Sequence, residues 1–428
     1  MTLAHPVDRP PYLHDGTILI LTSSYPKTKG EPSGIFLHYL AKELRTAGWE
    51  VIVQAPNFPG GTKCEELDGI KVRRFNYFFP RWQGLCYGSG MLPNLRKSPW
   101  LWIQVPFLLG SMFLHAIKLM HTEKIDLLNA HWVLPQGMVA RMVQWLCDVP
   151  VVLTVHGGDV FAFEGTVGRM LKRLALRNVS ACTANSSFTQ QAIQSHNRAS
   201  NVRVIPMGVD VDYFHPHSND QGLRQQLGIE GEMILFVGRL VEKKGVHHLF
   251  RAMPSVIQTF PRAVLVIIGE GTQRQELEVL AQSLGIASSV RFLGRISNED
   301  LPRYYATADL FVAPSVVDSV GDTEGLGIVF LEAAASEVAM IGTSVGGIAD
   351  ILVDQVTGIL IDPNNPAQLA KGIERVLSDP KLRERLVRKA RLHVVEHFSW
   401  SHIASRFSML FREVINSRQV HSRSINGI

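Results

Sequence analysis

The chain has 428 residues, 46% of them hydrophobic and 19% charged. A chain this apolar and this lean in charge is not disordered, and its length suggests two or three domains with large cores. Four cysteines (Cys64, Cys86, Cys147, Cys182) form no CxxC pair and no Cys/His cluster, which argues against a disulfide scaffold or structural zinc and fits a reducing cytoplasm. The net charge of +5 is uneven, with 21 Lys/Arg against 13 Asp/Glu in residues 1–206 and 22 against 25 beyond.

In chain order, the opening MTLAHPVDRPPYLHDG has no apolar core behind a basic cap, so it reads as a short leader rather than a signal peptide. TILILTSS (17–24) and EVIVQAP (50–56) read as buried strands around an amphipathic helix at 34–48. Residues 69–122 contain no acidic residue and interleave Lys71, Arg73, Arg74, Arg81, Arg96, Lys97 and Lys118 with many aromatics. That mixture suits an anionic membrane surface first, with aromatics in a core beneath a solvated basic face as the alternative; nucleic acid is not expected. The apolar run Pro99–Leu119 approaches the length of a membrane span, but Gln104, Pro106 and His115 interrupt it, so a buried or interfacial helix starting near Pro106 is expected. DLLNAHW (126–132), VVLTVHG (151–157) and VSACTAN (179–185) continue the strands.

After VRVIPMGVDVDYFHP (202–216), whose Pro206 and Gly208 mark a hinge-like loop, the alternation restarts. MILFVGRL (233–240), AVLVIIGEG (263–271), VRFLG (290–294), DLFVAPS (309–315), VAMIGTS (338–344) and GILIDP (358–363) are strands separated by helical patterns, and 398–415 is an amphipathic helix. The fold class is therefore α/β, with two doubly wound Rossmann-like domains. The expected division is 1–206, 207–397 and a C-terminal helical segment, 398–428, that packs back on the first domain. Ligands of such domains bind at the carboxyl ends of the strands, so the active site is expected in a cleft between them.

Three motifs stand at strand ends. VGRLVEKKG places Gly238, Arg239 and Lys244 after a strand, a cationic pair suited to a diphosphate; Lys243 competes with Lys244 on spacing alone. TEGLGIVFLEAAAS gives Glu324, a flexible Gly325-Leu326-Gly327 turn and a helix start suited to phosphate, with Glu332 two turns into that helix among apolar neighbours. VVLTVHGGD puts His156 and Asp159 after a buried strand, His156 as a hydrogen-bond partner for a sugar hydroxyl or a charge balance. Neither IIGEGTQRQEL nor VGGIADIL completes a dinucleotide fingerprint, and no nucleophile elbow, Walker loop or HExxH occurs.

Together the HGGD, GRLVEKKG and EGLGIVFLEAAAS segments, with VIPMGVD, FLGRIS, LFVAPS and FSWSHIA, resemble retaining glycosyltransferases of family 4, which have the GT-B fold. Glu324 and Glu332 match that family's Glu-x7-Glu motif. The resemblance covers most of the chain and implies transfer from a nucleoside-diphosphate sugar to a saccharide or lipid-linked saccharide. Arg239 and Lys244 would hold the diphosphate. Gly325, Leu326 and Gly327 would cap the distal phosphate and sugar, Glu332 would bind the ribose, and Glu324 the donor sugar. His156 would approach the transferred sugar, Ser33 and Gly34 would close over the phosphates, and the backbone around Arg295 and Ile296 would read the base. Asp318 and Asp322 lie in a long acidic loop and are candidates for sugar or acceptor contact, or solvated loop residues. Met207 stands where the family usually has Asn. No cofactor or metal is implied. A cytoplasmic enzyme, peripheral at the inner face of an anionic membrane and serving polysaccharide or lipopolysaccharide assembly, is the expected context. A phosphorylase, a nucleotide-sugar epimerase and a non-catalytic relative are the alternatives on the same fold.

Overall fold

The computed structural model describes residues 15–28, 31, 33–88, 90–158, 160–161, 165–196 and 201–426; most of the expected leader (1–14) and Asp159 lie outside the described residues. The first half of the chain runs β1 (Gly16–Leu21), α1 (Ile35–Thr46), β2 (Trp49–Pro56), β3 (Cys64–Leu67), β4 (Ile70–Phe75), α2 (Met91–Lys97), α3 (Gln104–Thr122), β5 (Leu127–His131), α4 (Met138–Cys147), β6 (Val151–Val155), α5 (Thr166–Leu176), β7 (Ala181–Ala184), α6 (Ser187–His196) and β8 (Val202–Val204). These strands form one sheet in the order β3-β4-β2-β1-β5-β6-β7-β8. Ile18 to Leu21 of β1, and β5 and β6 throughout, are buried, as strands covered on both faces must be.

The β3–β4 edge hairpin was not among the expected strands. β3 runs antiparallel to β4, which is parallel to β2. The sequences CEEL and IKVRRF mix charge into the strands, Lys71 on a wet position and Arg74 buried against Glu65, so they lack the continuous apolar signal of the inner strands.

The second half runs α7 (Gln221–Gln226), β9 (Met233–Val237), α8 (Val246–Thr259), β10 (Val264–Ile268), α9 (Arg274–Ser283), β11 (Val290–Gly294), α10 (Leu301–Thr307), β12 (Leu310–Ala313), α11 (Ile328–Ala335), β13 (Ala339–Thr343), β14 (Ile359–Ile361), α12 (Pro366–Ser378), α13 (Pro380–Phe398) and α14 (Trp400–Asn426). The sheet order is β11-β10-β9-β12-β13-β14, with parallel pairing throughout. Strand order reverses between β9 and β12, and a ligand site of a doubly wound sheet belongs at the carboxyl ends of the two strands flanking that reversal.

Two compact units emerge. One holds the described residues of Met1–Thr154, Met170–Cys182 and Ala404–Ile428, the other those of Val155–Arg169 and Thr183–Ile403. The expected division followed the chain, whereas here residues 155–169 and 183–206 group with the second unit. Within that unit the Ser187 amide donates to Asp350 Oδ2 (2.5 Å).

The linker is fastened to the end of α13: Val209 N–H donates to the Phe398 carbonyl (2.8 Å), and a Cβ at Gly208 would stand 2.7 Å from the Trp400 ring. Met207, in the position usually held by Asn, is buried. The later part of α14 packs on the first unit, as expected. Trp49 Nε1 donates to Ser408 Oγ (3.0 Å), its ring meets Phe411 edge-on, and Arg412 pairs with Asp15 (2.5 Å).

Candidate active site

β9 delivers the chain to Gly238–Leu240. Gly238 N–H donates to the Ile268 carbonyl and Leu240 N–H to that of Glu270, each at 2.9 Å. Gly269 (φ +138°) permits this, because a Cβ there would overlap the Gly238 carbonyl. The GEG turn after β10, unconvincing as a dinucleotide fingerprint, is thus the brace of the Arg239 loop. The Arg239 side chain is exposed. A single turn of 3-10 helix, Glu242–Lys244, follows and ends at Gly245.

The loop after β12 is clasped to that turn residue by residue. The Glu242 carboxylate accepts from Ser319 N (3.0 Å) and Oγ (2.7 Å). Lys243 Nζ donates to Asp322 Oδ2 (2.9 Å) and the Thr323 carbonyl (3.2 Å). Lys244 pairs with Glu324, the two side chains being 12% and 17% exposed. The two lysines that spacing could not separate therefore take different partners. Asp318 Oδ1 accepts from the Val320 (3.1 Å) and Asp322 (2.8 Å) amides and shapes the loop.

Burial by itself would raise the Glu324 pKa. Lys244, with Lys243 and Arg239 behind it, outweighs burial and holds the carboxyl below its ordinary value, so Glu324 is ionised at neutral pH.

The next turn rests on a second glycine pair. Gly347 N–H donates to the Glu324 carbonyl (3.0 Å), and a Cβ on Gly346 or Gly347 would overlap the Glu324 or Gly325 carbonyl. Gly327 (φ +92°) then opens α11, whose first turn carries no acidic residue. Glu332 stands one turn into α11, not two. Its Oε2 accepts from Tyr305 O–H (2.7 Å). Desolvation lifts its pKa to about 7, against the opposing pull of the Tyr305 hydrogen bond and Lys244.

His156 follows β6. Its carbonyl accepts from Asn185 Nδ2 (3.1 Å), and a Cβ on Gly325 would stand 2.9 Å from that same oxygen. Desolvation lowers the imidazole to about 3, so at neutral pH it offers hydrogen bonds and no charge.

Gly238, Arg239, Lys244, Glu324, Gly325, Leu326, Gly327, Glu332 and His156 are thus gathered in the second unit. Arg295 and Ile296 stand just past β11, two strands from β9. Ser33 and Gly34 belong to the first unit, where Ser33 Oγ shares a hydrogen bond with Ser24 Oγ (2.9 Å) and Gly34 (φ +70°) opens α1. Sequence reasoning missed the supports: Glu242, Ser319, Tyr305, Asn185, Gly346 and Gly347. Two signals bore on them: the lysines of EKK (242–244) answering the acidic residues of the 318–324 loop, and a glycine pair weighed only against a dinucleotide pattern.

An exposed guanidinium, two lysines, and a helix N-terminus free of carboxylates in its first turn suit a dianion. An ionised Glu324 and a Glu332 near its midpoint suit sugar hydroxyls. Residues 33–213 match the model for Glycosyltransferase Family 4, and residues 220–393 that for Glycosyl transferases group 1. An uncharacterized glycosyltransferase of Methanocaldococcus jannaschii is 32% identical over 317 residues, covering 70% of this chain and 79% of the relative. A GDP-mannose-dependent alpha-(1-6)-phosphatidylinositol monomannoside mannosyltransferase of Mycobacterium tuberculosis is 31% identical over 283 residues, 65% of this chain and 73% of the relative. Among solved structures, Anabaena HepE in complex with UDP and glucose has a TM-score of 0.70 at 21% identity, covering 93% of this chain and all of that one, which shows a shared fold. With both halves of the chain matched and relatives above 30% identity aligned over most of their length, the chain belongs to the group 1, family 4 glycosyltransferases and has their GT-B fold.

Proposed function

We propose that this glycosyltransferase moves a sugar, with retention of anomeric configuration, from a nucleoside-diphosphate sugar to a saccharide or lipid-linked saccharide. The context is cell-surface polysaccharide or lipopolysaccharide assembly in the cytoplasm, in peripheral contact with an anionic membrane. The observation that carries the reading is the Lys244–Glu324 pair set beside exposed Arg239 and the Gly325–Gly327 turn that opens α11. Two relatives' names support the donor class: the mycobacterial one is GDP-mannose-dependent, and the Anabaena one holds UDP and glucose.

In this reading the diphosphate lies over the start of α11, with Arg239 and Lys244 taking its charge. The bond from the sugar's anomeric carbon to the diphosphate breaks, and its electron pair leaves on the phosphate oxygen. That charge is stabilised by fixed cations and amides. The acceptor hydroxyl attacks from the same face and its proton passes to the departing phosphate oxygen. Glu324 holds donor-sugar hydroxyls, Glu332 the ribose, and neutral His156 a hydroxyl of the transferred sugar. Asp318 and Asp322 shape the loop beside them. Arg295 and Ile296 lie toward the base, and Ser33 and Gly34 serve the phosphates.

The test is a thermal-shift and turnover screen against UDP-, GDP- and ADP-sugars, with magnesium and with chelator. Stabilisation by one donor, with release of its nucleoside diphosphate undiminished by chelator, is the expected result. Sugar 1-phosphate formed from a glycan and inorganic phosphate, in a parallel reaction without donor, would indicate a phosphorylase, an isomerised donor an epimerase, and binding without turnover a non-catalytic relative; each contradicts the proposal.

A further inference from the structure

Three consecutive helices of the first half of the chain, α3, α4 and α5, contain no Asp or Glu. Each leads into the next strand of the series β5, β6, β7, and right-handed crossovers stepping in one direction place their helices on one face of the sheet. Packing agrees. α3 lies against α4, and a Cβ at Gly137, just before α4, would stand 3.3 Å from Ala175 of α5.

The inner sides of these helices are core: Leu108 and Met112 of α3, Val139 and Val143 of α4, Ala175 and Leu176 of α5. The outer sides are also apolar. Phe107 and Leu114 are exposed on α3, Met142 and Trp145 on α4, and Met170 and Leu174 on α5, with Trp145 79% exposed. Each pair recurs at three, four or seven residues, so each marks one outward stripe. Exposed or partly exposed cations flank the stripes: Lys118, Arg141, Arg173 and Arg177. The layer continues into an aromatic ridge in which Phe79 meets Trp82 edge-on and Arg81 lies over the Trp82 ring.

An apolar surface of this extent calls for an occupant. The segment Pro99–Thr122 is long and apolar enough to cross a membrane, but two bonds hold it in place: Gln54 Nε2 donates to the Met112 carbonyl (2.7 Å) and Gln104 Nε2 to that of Trp82 (2.8 Å). Insertion as a span would strip α3 from the core. Lying flat would bury the outer stripes and leave the inner contacts intact.

We propose that the outer face of α3, α4 and the Met170–Leu176 part of α5 is the docking surface for an anionic lipid membrane, lying in the interface without spanning it. Charge complementarity selects this occupant: three helices that carry cations and no carboxylate, with Trp145 exposed on α4, match anionic headgroups over an apolar interior. This goes beyond the acidic-free stretch at 69–122 by recruiting α4 and α5. It deepens the peripheral membrane contact proposed above, and rests on that reading, by giving the contact a surface.

The test is flotation of the full chain with vesicles of phosphatidylcholine plus phosphatidylglycerol, and with phosphatidylcholine alone, without any sugar nucleotide. Binding is expected on the anionic vesicles, weakened by salt. Trp145→Glu with Met170→Glu should lower the partition coefficient by about tenfold or more, while Met409→Glu, an exposed α14 position, should leave it unchanged. Donor turnover, measured in parallel, should be the same in all three proteins, so a failure of docking is distinguishable from a failure of the proposed reaction. Absence of vesicle binding, equal binding to both vesicle types, or a lipid-free dimer that Trp145→Glu dissociates would each overturn the proposal.

Discussion

The strand-end loops of the second sheet and the outer helix layer of the first are both rich in cations, and they hold them in opposite ways. In the loops, Lys243 and Lys244 each face a carboxylate, and glycines at 269, 346 and 347 press backbone against backbone. On α3, α4 and α5 no carboxylate occurs in the sequence, and cations alternate along the helices with exposed apolar side chains. The first arrangement fixes charge to within a bond length, as a small dianion requires. The second spreads charge over a surface, as a lipid headgroup layer requires. Position therefore matters in the loops and composition matters on the helices, and substitutions should separate the two.

The largest effect is expected at the clasp. Lys244→Met leaves the partly buried Glu324 carboxylate without its main partner and should cost up to about 3 kcal/mol of stability as well as donor turnover. Adding Glu324→Gln should restore the melting temperature while turnover stays at least about 100-fold down. A double variant as unstable as the single would mean that the pair is not the dominant local interaction.

Next is Gly347→Ala. Its Cβ would collide with the backbone of the Gly325–Leu326 turn and displace it. Turnover should fall by roughly 100-fold with little change in global stability, and wild-type kinetics in this variant would remove the glycine pair from the account.

Glu332→Gln acts through pH. The carboxyl sits at about 7 in the folded chain against 4.5 ordinarily. Between those values the unfolded chain is ionised while the folded chain keeps its proton, so the folded state loses stability as pH rises from 4.5 to 7, by at most about 3 kcal/mol. The Gln variant should be more heat-stable than wild type above pH 7, with the difference vanishing toward pH 4.5. A pH-independent difference in melting temperature would show that Glu332 is ionised throughout.

The smallest effect is expected on the helix layer. Trp145→Glu should change stability by less than about 0.5 kcal/mol, because the side chain touches little. A large loss there would make α4's outer face part of the core and dissolve the contrast.

Much of this was legible in the sequence. The inner strands announce themselves as unbroken apolar runs, and Arg239, Lys244, Glu324 and Glu332 stand where strand-to-loop and loop-to-helix transitions can be read. The β3–β4 hairpin was not legible, since both strands mix charge into their pattern, Glu66 at the wet edge and Arg74 buried against Glu65. Nor were the supports of the site. Tyr305 reaches Glu332 across 27 positions and Gly347 lies beneath Glu324 from a different loop, and such pairings follow from sheet order rather than local pattern. The compact units also cut across the chain at 155–169 and 183–206, because the loop carrying His156 packs on the Gly325 turn.

The central claim is that the donor sits on the strand-end loops of the second unit. Amide hydrogen exchange of the full chain, with and without the nucleotide sugar that stabilises it, addresses this most directly. The account predicts donor-dependent protection at 238–245 and 324–332. Protection confined to other segments, at a donor concentration that saturates turnover, would contradict it.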